Sequence, residues 1–178
     1  MDMNRGRDAV RDVVELRYRP EVADLTSALR ARLRVSRAGW VQWWSPVAVG
    51  LIVVGEVLAV ASGADSLSPG LLAGAAAVAV IVPLAPWLQA RAFMRLAERQ
   101  GEFRVTVTEE GVSVVTEHTT ASVDWAAQPR YRETPRVFVL LSDDKNATGF
   151  TMLPKSGLAD AADEGRLREI LDRHLTRC

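Results

Sequence analysis

The apolar and polar positions of the chain divide it into three stretches. The middle stretch, 39–90, contains two apolar runs of 18 residues each, WSPVAVGLIVVGEVLAVA at 44–61 and LLAGAAAVAVIVPLAPWL at 71–88. A helix of this length spans roughly 27 Å, close to the hydrocarbon thickness of a bilayer, and neither run has a polar stripe at helical spacing. The turn-rich SGADSLSPG between them favours an antiparallel return. The pattern predicts a two-helix transmembrane hairpin, and the alternative is a helical hairpin buried inside a soluble protein.

Charge is distributed in a way that orients this hairpin. Residues 1–38 carry nine arginines and six acids, 39–90 carry no Lys or Arg, and 91–178 carry thirteen basic and fourteen acidic residues. The basic flanks are Arg30, Arg32, Arg34 and Arg37 before the first run and Arg91, Arg95 and Arg99 after the second. Trp40, Trp43, Trp44 and Trp87 are aromatic anchors at the same interface. The positive-inside rule therefore predicts a multi-pass membrane protein with both termini in the cytoplasm.

After the basic segment RAFMRLAERQ, the period changes from helical to alternating. FRVTVT, VSVVTEH, ASVDWA, QPRYRE, RVFVLLS and FTML are expected to form six short strands. The chain then closes with an amphipathic helix whose apolar face is Leu167, Ile170, Leu171 and Leu175. The fold class is therefore a membrane-anchored α+β protein. Its soluble domain, 91–178, is expected to be a small antiparallel β-sandwich or partly open barrel closed by the C-terminal helix.

The N-terminal segment, 1–38, is expected to join this domain. VVELRY at 13–18 alternates like a strand, and Pro20 starts a helix with Val22, Leu25, Leu29 and Leu33 at helical spacing. The first 20 residues have no apolar h-region, so no cleavable secretion signal is expected. The arginines near the end of this helix either fix the membrane topology or bind anionic lipid headgroups.

Three segments of the chain resemble the C-terminal domain of YcxB-like proteins. These are FRVTVTEEGV, VDWAAQPRYRE and VFVLLSDDKNATGFTMLPKSGL, with a turn at Gly111, a strand ending in Trp125, and the step Leu153-Pro154-Lys155 before the last helix. The chain departs from the family pattern after that step, where it has Ser156-Gly157-Leu158. The resemblance implies a bacterial inner-membrane protein whose soluble domain has a pleckstrin-homology-like fold. It implies no catalytic residues and no cofactor.

The sequence offers little chemistry for an enzyme. It has no GxxxxGK[ST], GxGxxG or GxSxG motif. His118 and His174 have no Cys or acidic neighbours at metal-ligand spacing, so neither a metal nor a cofactor is expected. Asp143, Asp144 and Asn146 fit a tight turn better than a calcium loop. The net charge of −1 over 91–178 argues against nucleic acid as a partner.

Arg130, Arg132 and Arg136 are the candidate binding residues of the soluble domain. Arg130 and Arg132 are expected on one face of their strand, and Arg136 begins the next strand. Together they are suited to an anionic headgroup or an acidic partner, while the alternative is a solvated face in which Glu133 pairs with one of them.

Glu56 is the one carboxylate inside the first apolar run, and no Lys, Arg or His lies within 39–90 to pair with it. It is expected to be protonated, hydrogen-bonded within the hairpin, or directed towards interfacial water. In the second run, Gly70 and Gly74 form a GxxxG match that favours close packing against the first helix, with a homo-oligomer as the alternative.

These features lead to two functional hypotheses. The first is a membrane-tethered, non-enzymatic binding or scaffold module whose partners are the lipid bilayer and either anionic lipid or a cytoplasmic or membrane protein. The second is a small oligomeric transporter or channel subunit that uses Glu56.

Overall fold

The structure, a computed structural model, describes residues 13–63 and 68–178, and within them the chain is α+β. The helices are α1 Val22–Val35, α2 Ala38–Ala61, α3 Pro69–Ala97 and α4 Ala161–His174. The strands are β1 Val14–Tyr18, β2 Phe103–Thr108, β3 Gly111–Val115, β4 Thr120–Asp124, β5 Arg130–Glu133, β6 Val137–Leu141, β7 Phe150–Pro154 and β8 Thr176–Arg177. Part of the connector between the two apolar runs, 64–67, lies outside the described residues.

The strands form two four-stranded sheets that do not close into a barrel. The first sheet, in the order β1-β2-β3-β4, is antiparallel throughout. The second has the order β7-β6-β5-β8, and β8 runs parallel to β5, so this sheet is mixed. The expectation of purely antiparallel strands was therefore wrong at β8. With two residues, that strand is too short to show any alternation in the sequence.

A hydrophobic core lies between the two sheets and α4. In β1 the buried Val14, Leu16 and Tyr18 alternate with exposed residues, so one face of the strand enters the core. The predicted apolar face of α4 is confirmed, because its four residues are at most 7% exposed: Leu167, Ile170, Leu171 and Leu175.

The strand β6 is buried on both of its faces. Phe138 and Leu140 point into the core between the sheets, whereas Val137, Val139 and Leu141 form a second cluster with α1. Ala28 and Ala31 are the buried residues that α1 contributes to this cluster, and their small size permits close contact between helix and sheet.

The helix α1 lies between the second sheet and α3. On its side towards α3, Leu25 and Leu29 cluster with Ala90, which is 0% exposed. The N-terminal segment therefore joins the soluble domain, as expected, and also connects it to the second apolar helix.

The two apolar helices are longer than the runs that predicted them. Within the described residues, Gln42–Ala61 and Pro69–Arg95 are long and apolar enough to cross a membrane. The basic segment after the second run continues α3 without a break. Pro46, Pro83 and Pro86 were expected near helix ends but lie inside the helices. Pro46 cannot donate to the carbonyl of Gln42, and the Ser45 hydroxyl donates to that carbonyl instead, at 3.0 Å.

A narrow seam along α2 is less exposed than the rest of that helix. It consists of Gln42, Ser45, Val49, Ile52 and Glu56, which recur at the heptad-like spacing of two helices packed side by side. The GxxxG ridge does not take part in this contact, because a Cβ added at Gly70 or Gly74 would meet nothing within 4 Å among the described residues. The expectation that the ridge packs against the first helix was wrong.

Candidate functional site

Arg136 binds α1 and does not form an anion site with the other two candidate arginines. Its Nε lies 2.7 Å from Oδ1 of Asp24, and its Nη2 lies 2.8 Å from Oε2 of Glu21. Asp24 is 2% exposed, and its hydrogen bond raises the pKa of Arg136 above the ordinary value. Because Asp24 and Glu21 belong to the start of α1, this arginine fastens α1 to the turn between β5 and β6.

Arg130 and Arg132 lie on the same face of β5, opposite Leu141 and Val139 of β6. Arg130 donates from Nη2 to the Ser142 carbonyl at 2.7 Å, so it holds the loop after β6. Arg132 is half-buried, and no carboxylate of the described residues lies within 4 Å of it. Of the three candidates, Arg132 is therefore the one that the described contacts leave open to a partner.

The loop after β6 is a turn organised by Asp144. Its carboxylate accepts hydrogen bonds from the Ser142 hydroxyl and from the backbone N–H groups of Asn146 and Thr148. These bonds, with that from Ser142 the largest contribution, lower the pKa of Asp144 to about 2. The hydrogen bonds explain why acidic and amide residues crowd this segment.

Glu133 pairs with other cations than the three arginines. It is 12% exposed, and its carboxylate lies 2.7 Å from Lys155 Nζ, 2.7 Å from Arg168 Nη2 and 2.9 Å from Arg177 Nη2. The hydrogen bonds from Arg168 are the largest cause that lowers its pKa to about 2. Since these partners come from the segment after β7, from α4 and from β8, Glu133 holds three C-terminal elements to β5.

A second charged contact holds the end of α4. His174 stacks on Trp125 with ring centroids 5.4 Å apart, and its Nε2 lies 2.6 Å from Oε2 of Glu109. The indole Nε1 of Trp125 donates to the Glu109 carbonyl at 2.9 Å. Trp125 and His174 thus anchor the helix to the turn between β2 and β3.

Glu56 caps the second apolar helix. Its Oε2 accepts a hydrogen bond of 2.8 Å from the backbone N–H of Ser68, the residue immediately before α3 begins. The carboxylate is 8% exposed and lies at the end of α3 where unpaired N–H groups and the helix dipole favour a negative group. Among the expectations for Glu56, the structure therefore supports hydrogen bonding within the hairpin.

A cavity of about 650 Å³ lies at the junction of α1 and α2. We call it the helix-junction cavity, and its lining residues are Arg30, Leu33, Arg34, Ser36, Gly39, Trp40, Gln42 and Trp43. The sequence contained its components, because arginines four residues apart on a helix share a face and the tryptophans follow closely. Sequence reasoning assigned them separately, to topology and to membrane anchoring, and missed that the chain turns between them.

No group of three or more His, Cys, Asp and Glu side chains within 13–63 and 68–178 is arranged to hold a metal ion. In comparisons with known proteins, no family model, no curated protein and no solved structure matches this chain.

Proposed function

We propose that this chain is a membrane-tethered, non-enzymatic binding module of the YcxB-like family. Two helices anchor it in the bacterial inner membrane, and its β-rich domain has a pleckstrin-homology-like fold at the cytoplasmic face. The observation that carries the proposal is the exposure of the two apolar helices, which are attached to a well-packed soluble domain.

The apolar side chains of α2 and α3 are not covered by protein. Only 6% of the most apolar window in the first helix and 11% of that in the second are buried. Leu51 is 69% exposed, Leu58 60% and Ile81 59%. Each Å² of apolar surface left in water costs about 25 cal/mol, so a lipid environment accounts for these helices better than the core of a soluble protein.

Basic and aromatic residues meet at one end of the hairpin. Trp40 and Trp44 pack with ring centroids 5.8 Å apart at the start of α2, and the Arg91 guanidinium lies over the Trp87 ring at 5.4 Å towards the end of α3. Aromatic belts and positive charge of this kind are typical of the cytoplasmic interface. The soluble domain joins the hairpin at this same end.

The organisation of the domain supports binding better than catalysis. Its charged side chains are engaged in contacts that hold secondary-structure elements together, as described for Glu133, Arg130 and Arg136. Two packed sheets closed by the C-terminal α4 agree with the pleckstrin-homology-like fold that the family resemblance implies.

The single cysteine provides the test of the tether. Cys178 is exposed, so a membrane-impermeant maleimide reports which side of the membrane holds the C-terminus. We expect labelling of Cys178 in inside-out vesicles and not in sealed right-side-out vesicles. The matched control is Ser62→Cys combined with Cys178→Ser, which reports the opposite end of the hairpin and should give the reverse result. Labelling of both positions from the same side would overturn the two-span tether.

The binding role is tested at Arg132. A photo-crosslinking amino acid in place of Arg132, in the full chain in native membranes, is expected to give one discrete adduct. The same substitution at the exposed Glu110 is the control. Equal patterns from the two positions would exclude the outer face of β5 as the binding surface.

A further inference from the structure

The helix-junction cavity is formed by a sharp turn of the chain that depends on Gly39. A Cβ added at Gly39 would lie 1.6 Å from the carbonyl oxygen of Leu33, so only glycine fits this approach of α2 to the end of α1. The Ser36 hydroxyl accepts a hydrogen bond from the Gly39 N–H at 3.2 Å, and the Arg37 N–H donates to the Lys145 carbonyl at 3.0 Å. The elbow is thus fixed from both sides, and the cavity beside it is part of the fold.

One side of the cavity is cationic. Arg30 and Arg34 lie one helical turn apart on α1, both are exposed, and no carboxylate of residues 13–63 and 68–178 lies within 4 Å of either guanidinium. Arg32, between them in sequence, is used differently, because its Nε donates to the Asn146 carbonyl at 3.3 Å. The two cavity arginines therefore offer ten N–H donors, five from each planar fork, to a ligand with several acceptor oxygens.

The other side of the cavity is aromatic and belongs to the membrane interface. Trp40 is 65% exposed and Trp43 is 80% exposed. The apolar span begins at Gln42, so these tryptophans stand where α2 enters the bilayer and the arginines stand just outside it. A ligand that contacts both sides must carry an anionic group next to an apolar body.

We infer that the helix-junction cavity binds one anionic phospholipid, with its phosphate on Arg30 and Arg34 and its glycerol and upper acyl chains against Trp40 and Trp43. The inference rests on the proposed function, because it requires α2 to enter a membrane at Gln42. A volume of about 650 Å³ is in the range of sites that hold a headgroup-sized ligand. A free phosphate would use the arginines and leave the tryptophans without a role, which is why the lipid is the occupant that fits.

The experiment measures retained lipid by native mass spectrometry of the full chain released from nanodiscs of phosphatidylcholine with 10% phosphatidylglycerol. The wild type is expected to retain one phosphatidylglycerol, and Arg30→Gln/Arg34→Gln to reduce its occupancy about tenfold, since hydrogen bonds to charged groups are the strong ones. Arg30→Lys/Arg34→Lys keeps the topology-setting charge but loses the forked donors, so an intermediate loss is expected. The matched control is Arg17→Gln/Arg104→Gln, which removes two exposed arginines that face each other across β1 and β2 and should leave occupancy unchanged.

The apolar half of the site and the source of the phosphate are tested in the same way. Trp43→Ala is expected to lower phosphatidylglycerol occupancy several-fold, and millimolar glycerol phosphate should not displace the lipid. Equal occupancy in the wild type and both arginine variants would overturn the inference, and so would displacement by glycerol phosphate alone. Cys178 labelling of the same samples separates the two failures. Correct insertion without lipid selectivity rejects only this site, whereas failed insertion of the wild type rejects the tether.

Discussion

The carboxylate of Glu56 accepts a 2.8 Å hydrogen bond from the backbone N–H of Ser68, so an acid near the end of one apolar helix closes the start of the next. Twelve residues separate the two, including the connector between the helices. The contact gives the single acid of the first apolar run a structural role in the hairpin.

Replacing Glu56 by Ala is expected to fray the first turn of α3. Loss of a capping acceptor costs about 1 kcal/mol, and the amide of Ser68 would be left without its partner. Hydrogen exchange of the 68–72 peptide in nanodiscs should speed up accordingly. Glu56→Gln, which keeps an acceptor oxygen, should lose less, and Val53→Ala on the exposed face of α2 should lose nothing. The opposite result, a change in proton or ion flux across proteoliposomes with unaltered exchange, would support the transporter hypothesis.

Acidification is expected to release the C-terminal elements from β5 through Glu133. Its pKa is lowered from 4.5 to about 2 in the folded chain, so its contribution is fully present above about pH 4.5 and is lost as the pH falls towards 2. The shift corresponds to about 3 kcal/mol for a carboxylate that is 12% exposed. Exchange protection of the β5 and α4 peptides, corrected for intrinsic rates, should fall across this window in the wild type and fall less in Glu133→Gln. The control Glu110→Gln, at an exposed site, should keep the wild-type profile, and an unchanged profile in Glu133→Gln would contradict the assignment.

Removing Arg136 is expected to loosen α1 through an uncompensated buried charge. Asp24 is 2% exposed, and leaving a buried ionic group without its partner typically costs about 3 kcal/mol. Arg136→Gln should therefore raise hydrogen exchange in α1, and adding Asp24→Asn should recover part of the loss in a double-mutant cycle. Arg132→Gln removes the same charge from the neighbouring strand and should leave α1 protected. Additive effects of Asp24→Asn and Arg136→Gln would mean that the pair is not coupled.

Gly39→Ala is expected to open the elbow between α1 and α2. Its Cβ would lie 1.6 Å from the Leu33 oxygen, so one of the two helices must move. A spin label on Cys178 paired with one on Ser62→Cys should report a changed distance distribution by electron resonance. Gly50→Ala, at a helical position where a Cβ meets nothing within 4 Å, is the matched control and should leave the distribution unchanged. Identical distributions for both alanine variants would contradict the proposed geometry of the elbow.

The sequence predicted the elements whose signal is local and repeated. Strict alternation in FRVTVT and VVELRY identified β2 and β1, because one face of each strand is buried and the other is not. The charge-free middle stretch identified both apolar helices for the same kind of reason. It also predicted that Arg130 and Arg132 share a face, since side chains two apart on a strand must do so.

The partners of the charged residues were decided only by the tertiary structure. Arg136 and Asp24 are 112 residues apart, and no spacing rule connects them. Glu133 was expected to pair with a nearby arginine, but folding brings Lys155, Arg168 and Arg177 to it. The arginines of the helix-junction cavity became a candidate site only because the chain turns at Gly39. Periodicity in a sequence tells which face of an element is buried, whereas the group that meets this face depends on how distant segments pack.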